Sequence, residues 1–198
     1  MCGRFFTDDK TYDVIEEFAR IDREGAAAGD KCPSGTAFVL YGRGTEIAVG
    51  TAVWGYESEG KSGLIFNARC ETVGMRAMFR YDYENHRCVI PAAKFYEWKQ
   101  MSGFKKQKHA FFLPQGELFL AGIYHRSAEG MRFVILTRQA EGCMTDIHSR
   151  MPVILRKEDI QDWLFSREAA DRLLNLFPEN LMRRECEPAY EQMGLVFD

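Results

Sequence analysis

Apolar residues follow a helical period only near the two ends of this chain. Between them they run in short, continuous or alternating stretches. Val14, Ile15, Phe18 and Ile21 recur every three or four positions, which predicts a helix over 11–22, with Asp8 or Asp9 at its start. The run Gly25-Ala26-Ala27-Ala28-Gly29 ends it. Strands are predicted at 37–41, 46–54 and 64–66, separated by Gly-rich turns, with Gly42-Arg43-Gly44 as a hairpin turn. Further strands are predicted at 87–90, 95–99, 110–113, 118–124, 132–137 and 152–155. A short helix over 71–79 would turn Met75, Met78 and Phe79 inward, and helical patterning returns at 157–165 and 167–176. A strand-rich centre with helices at both ends, without regular β–α alternation, predicts an α+β fold. No repeat and no linker composition divides the chain, so residues 1–198 read as one compact domain.

Composition narrows the function classes. The 198 residues are 46% hydrophobic and 13% aromatic, enough for a substantial core. A formal charge of −3 argues against bulk electrostatic attachment to nucleic acid, so any such site must be a local basic groove. No apolar run reaches the length of a membrane span, and the opening MCGRFFTDDK lacks the apolar core of a secretory signal. The six Cys include no C-x-x-C pair and only four His accompany them. They read as free or buried thiols in a reducing cytoplasm, with no metal and no cofactor expected.

The chain begins Met1-Cys2-Gly3-Arg4-Phe5. Residue 2 is small enough for the initiator Met to be trimmed, which would place an α-amine and a thiol on adjacent carbons of Cys2. Their reference pKa values, about 7.7–8.0 and about 8.5, leave a usable fraction of each nucleophilic near neutrality. Such a pair condenses with an aldehyde, first as an imine and then as a thiazolidine ring. Four other clusters carry chemistry. Asn67-Ala68-Arg69-Cys70-Glu71-Thr72 follows an apolar strand; its amide can hold an amine or carbonyl and Arg69 can fork a phosphate, or Glu71 or Thr72 can simply cap the next element. In Phe95-Tyr96-Glu97-Trp98, alternation puts Tyr96 and Trp98 on one face and Glu97 with Phe95 on the other, where an apolar setting suits a carboxyl that shuttles protons. In Ile147-His148-Ser149-Arg150-Met151-Pro152, His148 and Arg150 would project together before a strand. Gly103-Phe104-Lys105-Lys106-Gln107-Lys108-His109 leads basic residues into an aromatic strand, as a solvated hairpin tip or as contacts for a single strand.

Taken in order, Met1-Cys2-Gly3-Arg4-Phe5, Trp54-Gly55, Asn67-Ala68-Arg69 with Glu71-Thr72, Pro91-Ala92 with Phe95-Tyr96-Glu97-Trp98, and Ile147-His148 with Arg150-Met151-Pro152 make this chain similar to the SOS response-associated peptidase (SRAP) family of abasic-site processing proteins. The resemblance runs from Cys2 to about Leu155. It implies an α+β fold: a compact single domain with a strongly bent, partly barrel-like β-structure and flanking helices. It also implies single-stranded DNA containing abasic sites as partner, with no membrane, a monomer, and a cytoplasmic protein that joins the nucleoid when bound to DNA. Carried onto matching positions, Cys2 would be the nucleophile that crosslinks to the abasic aldehyde. Asn67 would position the amine or the sugar, Glu97 would move protons, and His148 would assist sugar opening. Arg4, Arg69 and Arg150 would contact phosphates, with Pro33, Trp54 and Trp98 completing the DNA-facing set. Lyase activity and self-removal of the residue ahead of Cys2 belong to the same expectation. Lys94 stands where the family usually has Gly, Asp30-Lys31-Cys32-Pro33 replaces an Asn-x-x-Pro element, the loop between Trp54 and Asn67 is short, and Ala140-Glu141-Gly142 lacks a familiar Ala-Asn pair. Two other readings use the same residues: an N-terminal-nucleophile hydrolase acting through Cys2, and a non-catalytic binder of single-stranded DNA.

Overall fold

A computed structural model describes residues 2–58, 63–102, 106–178 and 180–186. In chain order the elements are β1 (Phe5–Thr7), α1 (Asp9–Glu16), β2 (Gly29–Lys31), β3 (Thr36–Arg43), β4 (Glu46–Trp54), β5 (Tyr56–Glu57), β6 (Leu64–Ile65) and β7 (Asn67–Arg69). These are followed by α2 (Ala77–Asn85), β8 (Arg87–Ala92), β9 (Lys94–Gln100), β10 (Lys106–Phe112), β11 (Leu118–Ser127) and β12 (Gly130–Gln139). The chain finishes with β13 (Arg150–Pro152), β14 (Ile154–Leu155), α3 (Ile160–Phe165), α4 (Arg167–Leu173) and β15 (Met182–Glu185).

The larger sheet closes on itself. Its order β12-β4-β3-β8-β11 returns to β12 through the β11–β12 hairpin, so the expected barrel-like bend is a ring of strands. Inside this ring and around it, neighbouring residues of one strand enter different cores. Leu40, Val89 and Val134 pack in a cluster with Tyr12, Phe79 and Trp163 of the helices. Val39, Ile90 and Ile135, one position away, pack with Cys2, Phe5, Phe95 and Phe111. Burial on both faces explains why these strands read as continuous apolar runs rather than alternating ones. The second sheet, β15-β10-β9-β1-β2, is antiparallel throughout and contributes Phe5, Phe95 and Phe111 to that second cluster.

Several expected boundaries shift. α1 starts where Asp8 accepts from Thr11 N at 3.0 Å while Thr11 Oγ1 accepts from Asp8 N at 3.2 Å, a reciprocal cap. It stops at Glu16 instead of residue 22, because Asp22 turns away to cap a 3-10 turn over Arg23–Gly25 by accepting from Glu24 N at 3.1 Å. The hairpin turn lies at Gly44, with φ of +62°, and Gly42 and Arg43 remain in β3. The helix expected over 71–79 is instead α2, six residues later: Met75 and Met78 are exposed, and Phe79, Asp82 and Tyr83 face inward. Asp82 masked the pattern, since a buried carboxylate looks polar in sequence; it is held by His86 at 2.8 Å and Tyr56 at 3.1 Å. β1, β2 and β15 are short strands with no apolar alternation to announce them. No helix among the described residues is long and apolar enough to cross a membrane.

Gly122, in the middle of β11, allows the ring to close tightly. A Cβ there would lie 2.6 Å from Ile90 Cδ1 and 2.8 Å from the Val134 carbonyl oxygen, and the latter is backbone that cannot rotate away. Gly122→Ala is therefore expected to destabilise the fold by about 1–3 kcal/mol, read as a lower urea midpoint with an unchanged slope.

Candidate active site

Residue 2 is placed by the strand that follows it. β1 pairs on one edge with β9, Phe5 opposite Phe95, and on the other with β2, Phe5 opposite Lys31. Tyr96 N donates to Arg4 O at 2.9 Å, carrying the pairing back toward the terminus. Phe5 is fully buried with its ring 5.0 Å from that of Trp54, and Cys2 has no exposed surface. β7 lies parallel to β12, with Asn67 beside Ile135. From there Asn67 Nδ2 donates to Cys2 O at 2.8 Å. Asn67 Oδ1 is buried and has no hydrogen-bond partner among the described residues. The structure thus brings Asn67 to residue 2, through the carbonyl of Cys2. Met1 lies outside the described residues.

Glu97 also reaches Cys2. It faces inward from β9 at 4% exposure, on the side of Phe95, as alternation requires. Burial, and then the negative charge of Glu97, push the Cys2 thiol far above its usual range, so near neutrality it is protonated. Directly opposite Glu97 in the β9–β10 pair stands His109, 2% exposed, with neither ring nitrogen hydrogen-bonded among the described residues. Its burial, with Arg183 nearby, lowers its pKa and keeps the ring neutral.

His148 and Arg150 form one unit, in the segment that enters β13. Arg150 N donates to His148 Nδ1 at 2.9 Å. The same nitrogen lies 3.2 Å from Arg150 O. The Arg150 guanidinium grips Glu71 with two bonds of 2.6 and 2.8 Å and gives a third, 2.6 Å, to Thr137 O. Glu71 is in turn held down to about 2 by that guanidinium. Ile147 and Met151, which flank the pair, pack in the same buried cluster as Cys2.

The DNA-facing candidates divide. Arg4 lies 5.7 Å over the ring of Trp98 and 3.6 Å from Asp30, at the rim beside Cys2. Arg69 is exposed at the end of β7, in register with Thr137. Pro33 is half-buried in a turn in which Gly35 N donates to Cys32 O at 2.9 Å and Ser34 takes φ of +74°. Ser34 N donates to Trp54 O at 2.8 Å, which fixes this turn beside Trp54. Trp54 itself is a correction: it is 0% exposed, and its indole N–H donates to Phe66 O at 2.8 Å. It offers no surface to a ligand and instead braces the residue before Asn67. Arg150, expected to contact phosphate, is engaged by Glu71. Thr137 has no signal in the sequence. His109 belongs by sequence to the basic run before β10 and Glu71 to the Asn67 motif, but neither pattern gives its place here: His109 opposite Glu97 and Glu71 on the Arg150 guanidinium. A concavity of about 820 Å³ lined by Leu113, Arg156, Phe177 and Leu181 includes none of the candidate residues.

The sequence model of the family described as SOS response associated peptidase (SRAP) matches residues 1–192. The chain belongs to the SRAP family. Among similar proteins, the abasic site processing protein YoqW of Bacillus subtilis (strain 168) is 34% identical over 180 residues, covering 83% of this chain and 80% of the relative. The abasic site processing protein YedK of Escherichia coli (strain K12) is 30% identical over 178 residues, covering 83% and 79%. The crystal structure of a phage-related protein from Bordetella bronchiseptica superposes with a TM-score of 0.79 at 25% identity, covering 94% of this chain and 95% of that one. The ring of strands with its flanking helices is thus the SRAP fold.

In this SRAP chain the Glu71–Arg150 pair makes a testable contribution to acid stability. A carboxylate whose pKa is lower folded than unfolded stabilises above its unfolded value, about 4.3, and loses that contribution as pH falls toward the folded one. The window is therefore from about 4.3 down to about 2. Glu71→Gln is expected to lower the urea midpoint at pH 7 and to converge on the wild type as pH falls through that window, so that its decline is flatter; the difference is small because the Glu71 side chain is 48% exposed.

Proposed function

We propose that this SRAP protein processes abasic sites in single-stranded DNA by crosslinking to them through Cys2 after loss of Met1. The observation that carries this reading is the Asn67–Cys2 hydrogen bond of 2.8 Å, with Glu97 close enough to raise the thiol. The names of the relatives, abasic site processing proteins, supply the substrate class.

The electrostatics give an order of events. A buried thiol that stays protonated is a poor first nucleophile, so the freed α-amine attacks the open-chain aldehyde of the sugar. Loss of water from the carbinolamine leaves an imine between the Cys2 nitrogen and the sugar carbon. Protonation of the imine makes its carbon the electrophile. The thiol then adds to that carbon and yields its proton to Glu97, closing a thiazolidine; no oxidant or reductant is needed. Release of the 3′ phosphate from the same imine by β-elimination is the lyase branch. His148 is suited to pass a proton to the sugar oxygen as the furanose ring opens. Asn67 keeps residue 2 from swinging away. Selectivity needs no reading of bases, because an aldehyde exists only where a base is missing; phosphate and sugar contacts suffice. Arg4, Arg69 and Trp98 are the contacts at the rim. One copy of the chain holds all of these groups, which supports action as a monomer. Self-removal of Met1 would use the same thiol and carboxylate and accounts for the word peptidase in the family description.

Incubation of the Met-trimmed protein with an abasic oligonucleotide is expected to give a band that survives denaturant, and Cys2→Ala is expected to abolish it. A complex that persists in Cys2→Ala but dissociates in denaturant would identify a simple binder, and peptide turnover without adduct would identify a hydrolase. Glu97→Gln is expected to slow adduct formation about 10²-fold or more with unchanged affinity for intact strands. An unaltered rate would remove Glu97 from the proton transfers.

A further inference from the structure

The five-stranded sheet has a second face that the chemistry of Cys2 does not use. Glu97, Phe95 and Phe111 point inward, so the alternate residues of the same strands point outward. There, cations lie over rings: Lys108 Nζ is 3.8 Å from the centroid of Tyr96, and Lys94 Nζ is 4.5 Å from that of Phe6. Arg184 lies 5.5 Å over Phe112, and Arg4 lies over Trp98. Lys106, two residues from Lys108 on β10, is exposed on the same side. Asp30 stands in register with Phe6 and pairs with Arg4. Acids outnumber Lys and Arg in the whole chain, 29 to 26. A face with five cations and this acid therefore runs against the composition, and supplies the local basic surface that a chain of negative charge needs to meet a polyanion.

We propose that this outer face is a track for single-stranded nucleic acid, running from Arg4 and Trp98 at the rim of the site across β9 and β10 to Arg184 on β15. Charge selects a polyanion, and the partly exposed rings of Phe6, Trp98 and Phe112, with Tyr96 buried beneath Lys108, select a nucleic acid over an acidic peptide. Every base has a π face that can stack on an aromatic ring, whereas an acidic side chain gains nothing from one. The pairing order β1-β9-β10-β15 spans three inter-strand steps of about 4.8 Å each, or about 14 Å. At about 3.4 Å or more per nucleotide that is room for about three or four nucleotides. Binding there is indifferent to base sequence. It would hold the strand on one side of the reacting sugar, so the inference extends the proposed function while resting on contacts separate from Cys2, Asn67 and Glu97.

The test is equilibrium binding of the full chain to intact oligothymidylate by fluorescence anisotropy across a salt series. Strands of about 15 and about 4 nucleotides are compared, for the wild type, for Lys108→Gln, and for the triple variant Lys94→Gln, Lys108→Gln, Arg184→Gln. Each lost phosphate contact lowers the slope of log affinity against log salt by about 0.7. The triple variant is therefore expected to lose about 2 from its slope on the longer strand and Lys108→Gln about 0.7, with thermal melting unchanged. A strand of about 4 nucleotides already covers a track of this length, so the loss is expected on both. Wild-type slopes in both variants would overturn the proposal. Denaturant-resistant adduct formation is measured separately: its absence beside a reduced slope would sink the crosslinking reading and leave the track standing, and normal crosslinking beside an unchanged slope would sink the track alone.

Discussion

The pairing of β1 on both its edges is the constraint on which the site depends. A three-residue strand at a chain end would ordinarily fray. Here β9 and β2 take its two edges, and Phe5 is sunk in the core against Trp54. The residues just before it have little freedom left, and the Asn67 amide fixes the Cys2 carbonyl itself. Cys2 is thereby given the positional definition of a core residue. Trp54 extends the same constraint: it backs Phe5 on one side and, through its indole N–H, holds the carbonyl next to Asn67 on the other. One buried side chain therefore sets the relative position of two segments more than sixty residues apart.

Alternation along β9 divides the labour of the smaller sheet. Glu97 enters the dry side, where a low dielectric makes its charge felt by the thiol. Tyr96 and Trp98, its immediate neighbours, take the opposite face under Lys108 and Arg4, the first buried and the second partly exposed. Moving this strand by one residue would exchange the two sets and destroy both faces together. The pairs Phe5–Phe95 and Phe111–Phe95, all buried, make such a slip costly.

The sequence disclosed most where burial is simple. The long ring strands announced themselves as apolar runs, and the inward Glu97 followed from period two. It disclosed least where local chemistry or distant partners decide. β1 and β2 are strands because of what they pair with; Gly29-Asp30-Lys31 has no strand pattern of its own. α2 was displaced because Asp82, buried among Tyr56, His86 and His125, interrupts the apolar periodicity. The resemblance to the family implies Trp54 and Arg150 as contacts for DNA. Only the three-dimensional structure reveals that the first is enclosed and the second already has an anion.

Arg150 ties together two motifs that are far apart in the sequence. β12 carries β7 on one register and β13 on another, with Thr137 opposite both Arg69 and Pro152. Arg150 reaches across this junction to Glu71 and to the Thr137 carbonyl, while its own backbone N–H donates to His148 Nδ1 and holds the ring in place. The interval from Asn67 to Glu71 brings the amide to Cys2 and the carboxylate to the guanidinium. The interval from His148 to Arg150 lets the same residue anchor the loop and orient the imidazole. A shift of one position in either segment would separate the amide or the imidazole from its support. The two motifs are therefore better described as halves of one clamp, assembled on β12, than as independent sets of contacts.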